Sequence, residues 1–214
     1  MAKKKVEEKL QRAAYQEALK DAEKLLNGTL SKEVFAQEQA KSVLEGFQDR
    51  LTGLFNRDFF DQVAILLVAL AQRQKEPLTV LYLDLDDFKK INDEYGHPQG
   101  DRLLQKVGTV IKQSLRVSDI AARYGGEEMV VLLPKTKLEA AKKVAQRLLK
   151  NLANHPFKIS GSLQETKGQS FKLTASLGLA EYQAGMNPSE LIGRADQALL
   201  QAKKTGKNKI VVYG

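Results

Sequence analysis

Residues 120–133 read Ile-Ala-Ala-Arg-Tyr-Gly-Gly-Glu-Glu-Met-Val-Val-Leu-Leu, two short apolar runs joined through a glycine pair. The pattern predicts a β-hairpin with strands Ile120–Tyr124 and Met129–Leu133, Gly125 and Gly126 supplying the positive φ angles that a tight turn favours. Two carboxylates, Glu127 and Glu128, follow the pair directly.

Upstream, Leu78-Thr-Val-Leu-Tyr-Leu83 is almost wholly apolar, which predicts a strand covered on both faces. It gives way abruptly to Asp84, Asp86 and Asp87. A helix is expected over 58–74, ended by Lys75-Glu76-Pro77, and another over 98–115, where Leu103, Leu104, Val107, Val110, Ile111 and Leu115 recur at helical spacing. Beyond the hairpin come a helix over 136–152, a loop-rich polar stretch, a strand over 173–182, a helix over 188–204 and a strand over 209–213. The order β-α-β-β-α-β predicts an α/β chain of the α+β kind: a ferredoxin-like βαββαβ core with a central antiparallel sheet, carrying an extra helix and strand.

The first 48 residues read differently. They predict an N-terminal helical extension of two helices separated by Asn27-Gly28, with Ser31 as the N-cap of the second. The apolar stripes (Leu10, Ala14, Ala18 and Leu25, then Val34, Val43, Leu44, Phe47 and Leu51) are too thin for an independent core, so the expectation is a dimerisation or signalling element over 1–48 and a single domain over 49–214.

Composition narrows the chemistry. The 214 residues include no cysteine, which excludes disulfides, thiolate nucleophiles and thiolate zinc sites. The apolar run 63–71 is far short of the roughly 20 residues needed to cross a bilayer, and the basic N-terminus lacks the apolar stretch of a signal peptide. A soluble cytoplasmic protein is expected. The net charge of +8 is concentrated after residue 48, where 25 basic face 18 acidic side chains, but without a long basic block or interleaved aromatics. That favours an anionic small molecule over nucleic acid as the partner.

The carboxylates at the strand end and those after the glycine pair converge if the hairpin lies beside the first strand. Oxygen donors without clustered imidazole suit a hard cation such as Mg²⁺ or Mn²⁺, whose main use is phosphoryl transfer.

Taken together, Leu51-Thr-Gly-Leu-Phe-Asn-Arg57, Asp84-Leu-Asp-Asp-Phe-Lys-Lys-Ile-Asn-Asp93, Gly96-His97 with Gly100-Asp101, Ala122-Arg-Tyr-Gly-Gly-Glu-Glu-Met129, and Ala195-Asp196 through Lys207-Asn208 resemble the GGDEF family of diguanylate cyclases over residues 49–214. The resemblance implies an enzyme that condenses two GTP into cyclic di-GMP with release of two pyrophosphates, working as a homodimer because each subunit holds one GTP.

It also implies roles for individual residues. Asp84, the Leu85 carbonyl and Glu127 match the Mg²⁺ (or Mn²⁺) ligands. Glu127 and Glu128 match the catalytic acids, and which of them accepts the 3′-hydroxyl proton is open. Asn92 and Asp101 match the pair that reads the guanine edge. Lys89, Lys203 and Lys207 match phosphate contacts, Gly125 and Gly126 line the substrate, and His97 shapes a turn. Arg116-Val-Ser-Asp119 resembles the inhibitory R-x-x-D site for cyclic di-GMP, with Arg147 as a secondary contact. Met129 stands where Phe is usual, in a position expected to face the core, and Leu200 where Tyr is frequent. The competing readings are a catalytically silent cyclic di-GMP receptor and a polymerase-like palm.

Overall fold

A computed structural model of the chain describes residues 46–155, 157–158, 170–171 and 173–214, and Asp49–Gly214 form one compact unit. The helices expected over 1–48 lie almost wholly outside the described residues. At their end, Phe47 and Leu51 do not continue a helical stripe. Both lie in turns, with the Gly53 N–H donating to the Asp49 carbonyl and the Asp49 N–H to the Leu54 carbonyl.

Helix α1 (Arg57–Gln74) starts where Asn56 Oδ1 accepts the Phe59 N–H at 2.9 Å and stops at Lys75, whose φ of 55° is left-handed. Strand β1 (Leu78–Leu85) follows with all eight residues buried, two residues longer than the apolar run, so Asp84 belongs to the strand itself. A short helix α2 (Phe88–Tyr95) and a long one, α3 (His97–Ser114), meet at Gly96, whose φ of 81° makes the bend. The hairpin strands are β2 (Ile120–Arg123) and β3 (Glu128–Pro134), followed by helix α4 (Leu138–Asn154). In the polar stretch, β4 (Phe157–Lys158) pairs with β5 (Ser170–Phe171) as a separate ribbon. The chain closes with β6 (Ala175–Glu181), helix α5 (Pro188–Lys204) and β7 (Ile210–Val212).

The five long strands lie in the order β2-β3-β1-β6-β7. Strand β1 is antiparallel to both β3 and β6, β2 is antiparallel to β3, and only β7 runs parallel to its neighbour. The first four are therefore the split βαβ arrangement of a ferredoxin-like sheet, with β7 added at the edge.

Because side chains alternate along a strand, each face of the sheet has its own cover. Leu81, Leu83 and Leu85, Met129, Val131 and Leu133, and Leu177 and Leu179 join Leu103, Val107 and Ile111 of α3 and Ala145 and Leu148 of α4 in one core. Met129 is fully buried there, as expected of the residue replacing Phe. The alternate residues Val80, Tyr82 and Asp84 face α1 and α5. Helix α5 sits against the sheet at closest range over Gly178, where a Cβ would strike the Ala195 carbonyl oxygen and the Leu199 amide.

One expectation about the hairpin is wrong. Neither Gly125 nor Gly126 has a positive φ. At Gly125 a Cβ would lie 2.4 Å from a Glu128 carboxylate oxygen, so the missing side chain leaves room for that carboxylate, whereas Gly126 faces open space.

Candidate active site

Three strand ends and one helix make the site. Asp84 is opposite Glu128 on β3 and Ser176 on β6, and its buried carboxylate takes the Lys203 ammonium of α5 at 2.7 Å. Lys203 arrives one helical turn after Leu199, where α5 rests on Gly178. Burial is the largest influence on the Asp84 carboxyl, and the charges of Glu127 and Glu128 add to it. Lys203 opposes both but leaves the pKa raised to about 6. The three acids sense one another across the turn, as the hairpin reading requires.

The other two acids of the strand end are separated from the site by their partners. Asp86 is buried, accepting the Ser176 hydroxyl at 2.7 Å and the Asn208 backbone N–H at 3.0 Å, so it fastens the start of β7 to the end of β1. Asp87 is left-handed (φ 57°) and exposed, and takes Lys90 at 2.7 Å and Lys207 at 3.0 Å. Lys207 is thus held at the edge of the site, while Lys89 is exposed in the first turn of α2.

Asn92 and Asp101 come from consecutive helices, α2 and α3. The two helices meet at Gly100, where a Cβ would lie 1.9 Å from the Asn92 side-chain oxygen. Asp101, the next residue of α3, is exposed. His97 is exposed as the first residue of α3, at the bend.

The signature turn is closed by the Tyr124 N–H donating to the Glu128 carbonyl at 2.8 Å. These features reproduce in space the set of motifs that is ordered along the chain. The family model described as diguanylate cyclase, GGDEF domain, matches residues 46–209.

The chain belongs to that family.

Among curated relatives, the probable diguanylate cyclase DgcT of Escherichia coli (strain K12) is 41% identical over 166 residues, 77% of this chain and 35% of that protein. The chain thus spans about a third of that relative's length. The GGDEF domain of DgcB from Caulobacter crescentus, solved in complex with c-di-GMP, superposes with a TM-score of 0.74 at 28% identity over 78% of this chain and 93% of that one. The diguanylate cyclase SiaD of Pseudomonas aeruginosa, solved with its activator SiaC, gives 0.74 at 30% identity over 99% of this chain and 78% of that one.

Away from the GGDEF turn, Arg116 is exposed and its backbone N–H donates to Asp119 Oδ2 at 2.9 Å. Burial raises the Asp119 carboxyl, opposed by its bond to the Arg116 N–H and by the Arg116 and Arg147 charges. The Arg147 guanidinium donates twice to the Ser114 carbonyl, at 2.6 and 3.0 Å, so it caps the C-terminus of α3. Arg116, Asp119 and Arg147 therefore surround one helix end.

Residues that sequence reasoning left without a role complete the picture. Tyr82, Tyr124, Arg57, Asp61 and Asp196 line a groove between α1 and α5. Tyr124 donates to Asp61 at 2.9 Å beneath the Arg57 guanidinium, and burial with the Glu128 and Asp196 charges raises the Tyr82 hydroxyl. The one available signal was the motif position of Arg57, Tyr124 and Asp196.

Among the described residues, no three acidic or imidazole side chains are gathered tightly enough to hold an ion unaided. The donors are nonetheless all oxygen, and they form an anionic centre that Lys203 only partly offsets. That fits Mg²⁺, which takes one or two carboxylates and completes its shell with substrate phosphates and water.

Proposed function

We propose that the chain is a diguanylate cyclase that condenses two GTP into cyclic di-GMP and two pyrophosphates. The observation that carries this is the electrostatic convergence of Asp84, Glu127 and Glu128 on one sheet edge, with Lys203 set against Asp84. Mg²⁺ or Mn²⁺ held by Asp84, Glu127 and the Leu85 carbonyl would neutralise charge on the phosphates.

The chain's own residues then do the following. Asn92 and Asp101 take the guanine edge, the carboxylate accepting from the N1–H and exocyclic amine that adenine lacks. Lys203 and Lys207, with Lys89 at the start of α2, attract the phosphates as point charges. Glu127 or Glu128 accepts the 3′-hydroxyl proton. The attacking hydroxyl belongs to a GTP held by a second copy of the chain, so the working form is a homodimer. The segment 1–48 raises the encounter rate of two such domains, and its removal should lower turnover at low protein concentration more than at high.

Arg116 and Asp119, with Arg147 as secondary contact, bind cyclic di-GMP and lower the rate. Arg supplies donors for phosphate or guanine and Asp accepts from the guanine edge.

Incubation with GTP and Mg²⁺ followed by separation of the products tests the reading. Cyclic di-GMP and pyrophosphate are expected. Unconsumed GTP with intact binding of cyclic di-GMP would instead identify a silent receptor.

A further inference from the structure

Arg123 stands immediately before the GGDEF turn, and its guanidinium is committed to the turn's backbone. Its Nε–H is shared between the Gly126 carbonyl at 2.9 Å and the Gly125 carbonyl at 3.2 Å. Its Nη1 donates to Asp49 Oδ2 at 3.2 Å, in a pair whose side chains are each only about a fifth exposed.

Asp49 is itself fixed. Its other oxygen, Oδ1, accepts both the Thr52 N–H and the Thr52 hydroxyl, each at 2.8 Å. The loop that follows is wedged in place: Gly53 is left-handed at φ 66°, and a Cβ on Gly108 of α3 would strike the Thr52 carbonyl. The loop then joins the edge of β2, Phe55 N–H donating to Ala121 at 3.0 Å and Arg123 N–H to Phe55 at 2.9 Å. So the turn is gripped from behind by a side chain that a hydrogen-bonded loop, 74 positions away in sequence, holds through Asp49.

This grip has a chemical consequence. In a trans peptide the C=O and N–H point in opposite directions. The carbonyls of Gly125 and Gly126 share their peptide units with the N–H groups of Gly126 and Glu127. Drawing the carbonyls onto a guanidinium therefore turns those two N–H groups the other way, and the adjacent positive charge polarises them as donors. Two successive amides aimed outward from a turn make a concavity for an anion.

We propose that Arg123 is a positioning residue for the cyclase reaction, with Asp49 holding it. It orients the Gly126 and Glu127 amides toward a phosphate oxygen of the nucleotide and fixes the backbone that carries Glu127. The inference deepens the cyclase reading and depends on it for the chemistry, but not for the geometry.

The test uses the full chain and the variants Arg123→Lys and Asp49→Asn, with two readouts. One is the initial rate of cyclic di-GMP formation per folded molecule. The other is amide hydrogen exchange of the turn in the absence of nucleotide. Lysine keeps the charge but, with a single ammonium, cannot serve the two carbonyls and Asp49 together.

Arg123→Lys should lower kcat about 100-fold with KM for GTP within about threefold, since misplacement of a catalytic group by about 1 Å has an effect of that order. Exchange at Arg123 and Tyr124, whose N–H groups are bonded to the Phe55 and Glu128 carbonyls at the base of the turn, should accelerate. Asp49→Asn should act in the same direction, about tenfold in kcat, and the double variant should be no slower than Arg123→Lys alone. Either single variant keeping kcat within twofold, or a rate loss that only tracks the unfolded fraction, would overturn the proposal. Should the wild-type chain form no cyclic di-GMP, the cyclase reading fails by itself. Exchange then decides the positioning role alone: unchanged protection of the turn in Arg123→Lys refutes it.

Discussion

Lys203 Nζ lies 2.7 Å from Oδ2 of the buried Asp84, joining helix α5 to the end of β1. The pair places the principal acid of the site against a cation carried by an element whose own position depends on packing. Much of the site's behaviour should therefore answer to contacts that touch no substrate.

The clearest of these is Gly178. A methyl group there meets the Ala195 carbonyl oxygen and the Leu199 amide, both backbone atoms that cannot turn aside. Gly178→Ala should push α5 off the sheet, destabilising the fold by about 2–3 kcal/mol as overpacked cores do. It should also lower turnover by withdrawing Lys203 from Asp84. Urea unfolding and initial rates, measured on one preparation, check both; a stable variant of full activity would show that α5 has slack.

Gly100→Ala makes a different demand. Its Cβ would displace the flexible Asn92 side chain and press on the buried Phe88 ring at 3.1 Å, which need give only slightly, so the fold should survive with a loss of about 1 kcal/mol. Base recognition should suffer: KM for GTP is expected to rise about tenfold, the equivalent of about 1.4 kcal/mol for one lost hydrogen bond, with kcat little changed. Steady-state kinetics with GTP decide it.

Arg116 is exposed, and its backbone N–H, not its guanidinium, makes the bond to Asp119. Arg116→Ala should accordingly leave stability and initial rate unaltered while weakening inhibition by added cyclic di-GMP about tenfold or more. Inhibition curves at fixed GTP measure this, and an unchanged midpoint would place the product elsewhere.

The fourth prediction concerns pH. Burial would raise the Asp49 carboxyl, but hydrogen bonds from the Thr52 N–H and hydroxyl, with the Arg123 charge, outweigh it and hold the group below its ordinary 3.8. A lowered carboxyl binds fewer protons folded than unfolded, so its contribution is complete above the ordinary value and disappears as pH falls through the folded one. Asp49→Asn should therefore cost about 1–2 kcal/mol at about pH 7 and much less at about pH 3. Denaturant midpoints at the two pH values check the sign.

How far the sequence alone reaches depends on where the deciding contacts lie. Helix α5 was legible to the residue, because Asn187 accepts the Glu190 N–H, Pro188 opens the first turn and one apolar stripe runs its length. Helix α2 was not: it has only eight residues, a single buried one in Phe88, and no side-chain cap from Asp87. The β4–β5 ribbon, two residues a side, carries no periodicity to detect.

Within the site, Asp84 could be picked out only by resemblance. In sequence Asp84, Asp86 and Asp87 look alike. Ser176, Asn208, Lys203 and Lys207 tell them apart, from 90 or more residues away. The glycine pair misled for a related reason: neither residue has a positive φ, and the turn is closed by the Tyr124 N–H bonded to the Glu128 carbonyl, with the Glu128 side chain lying over Gly125.

The fastening of Asp84 and Asp86 by Lys203 and by the Asn208 N–H also sets a timetable. On a ribosome, strand β1 and the hairpin are made long before the segment 203–208 that neutralises one acid and ties down the other. Contacts of such sequence separation form late and slowly. A nascent chain can thus complete strands β1, β2 and β3 while Asp84 still lacks its counter-charge, and the site takes its final electrostatic form only once residues 203–208 have been made.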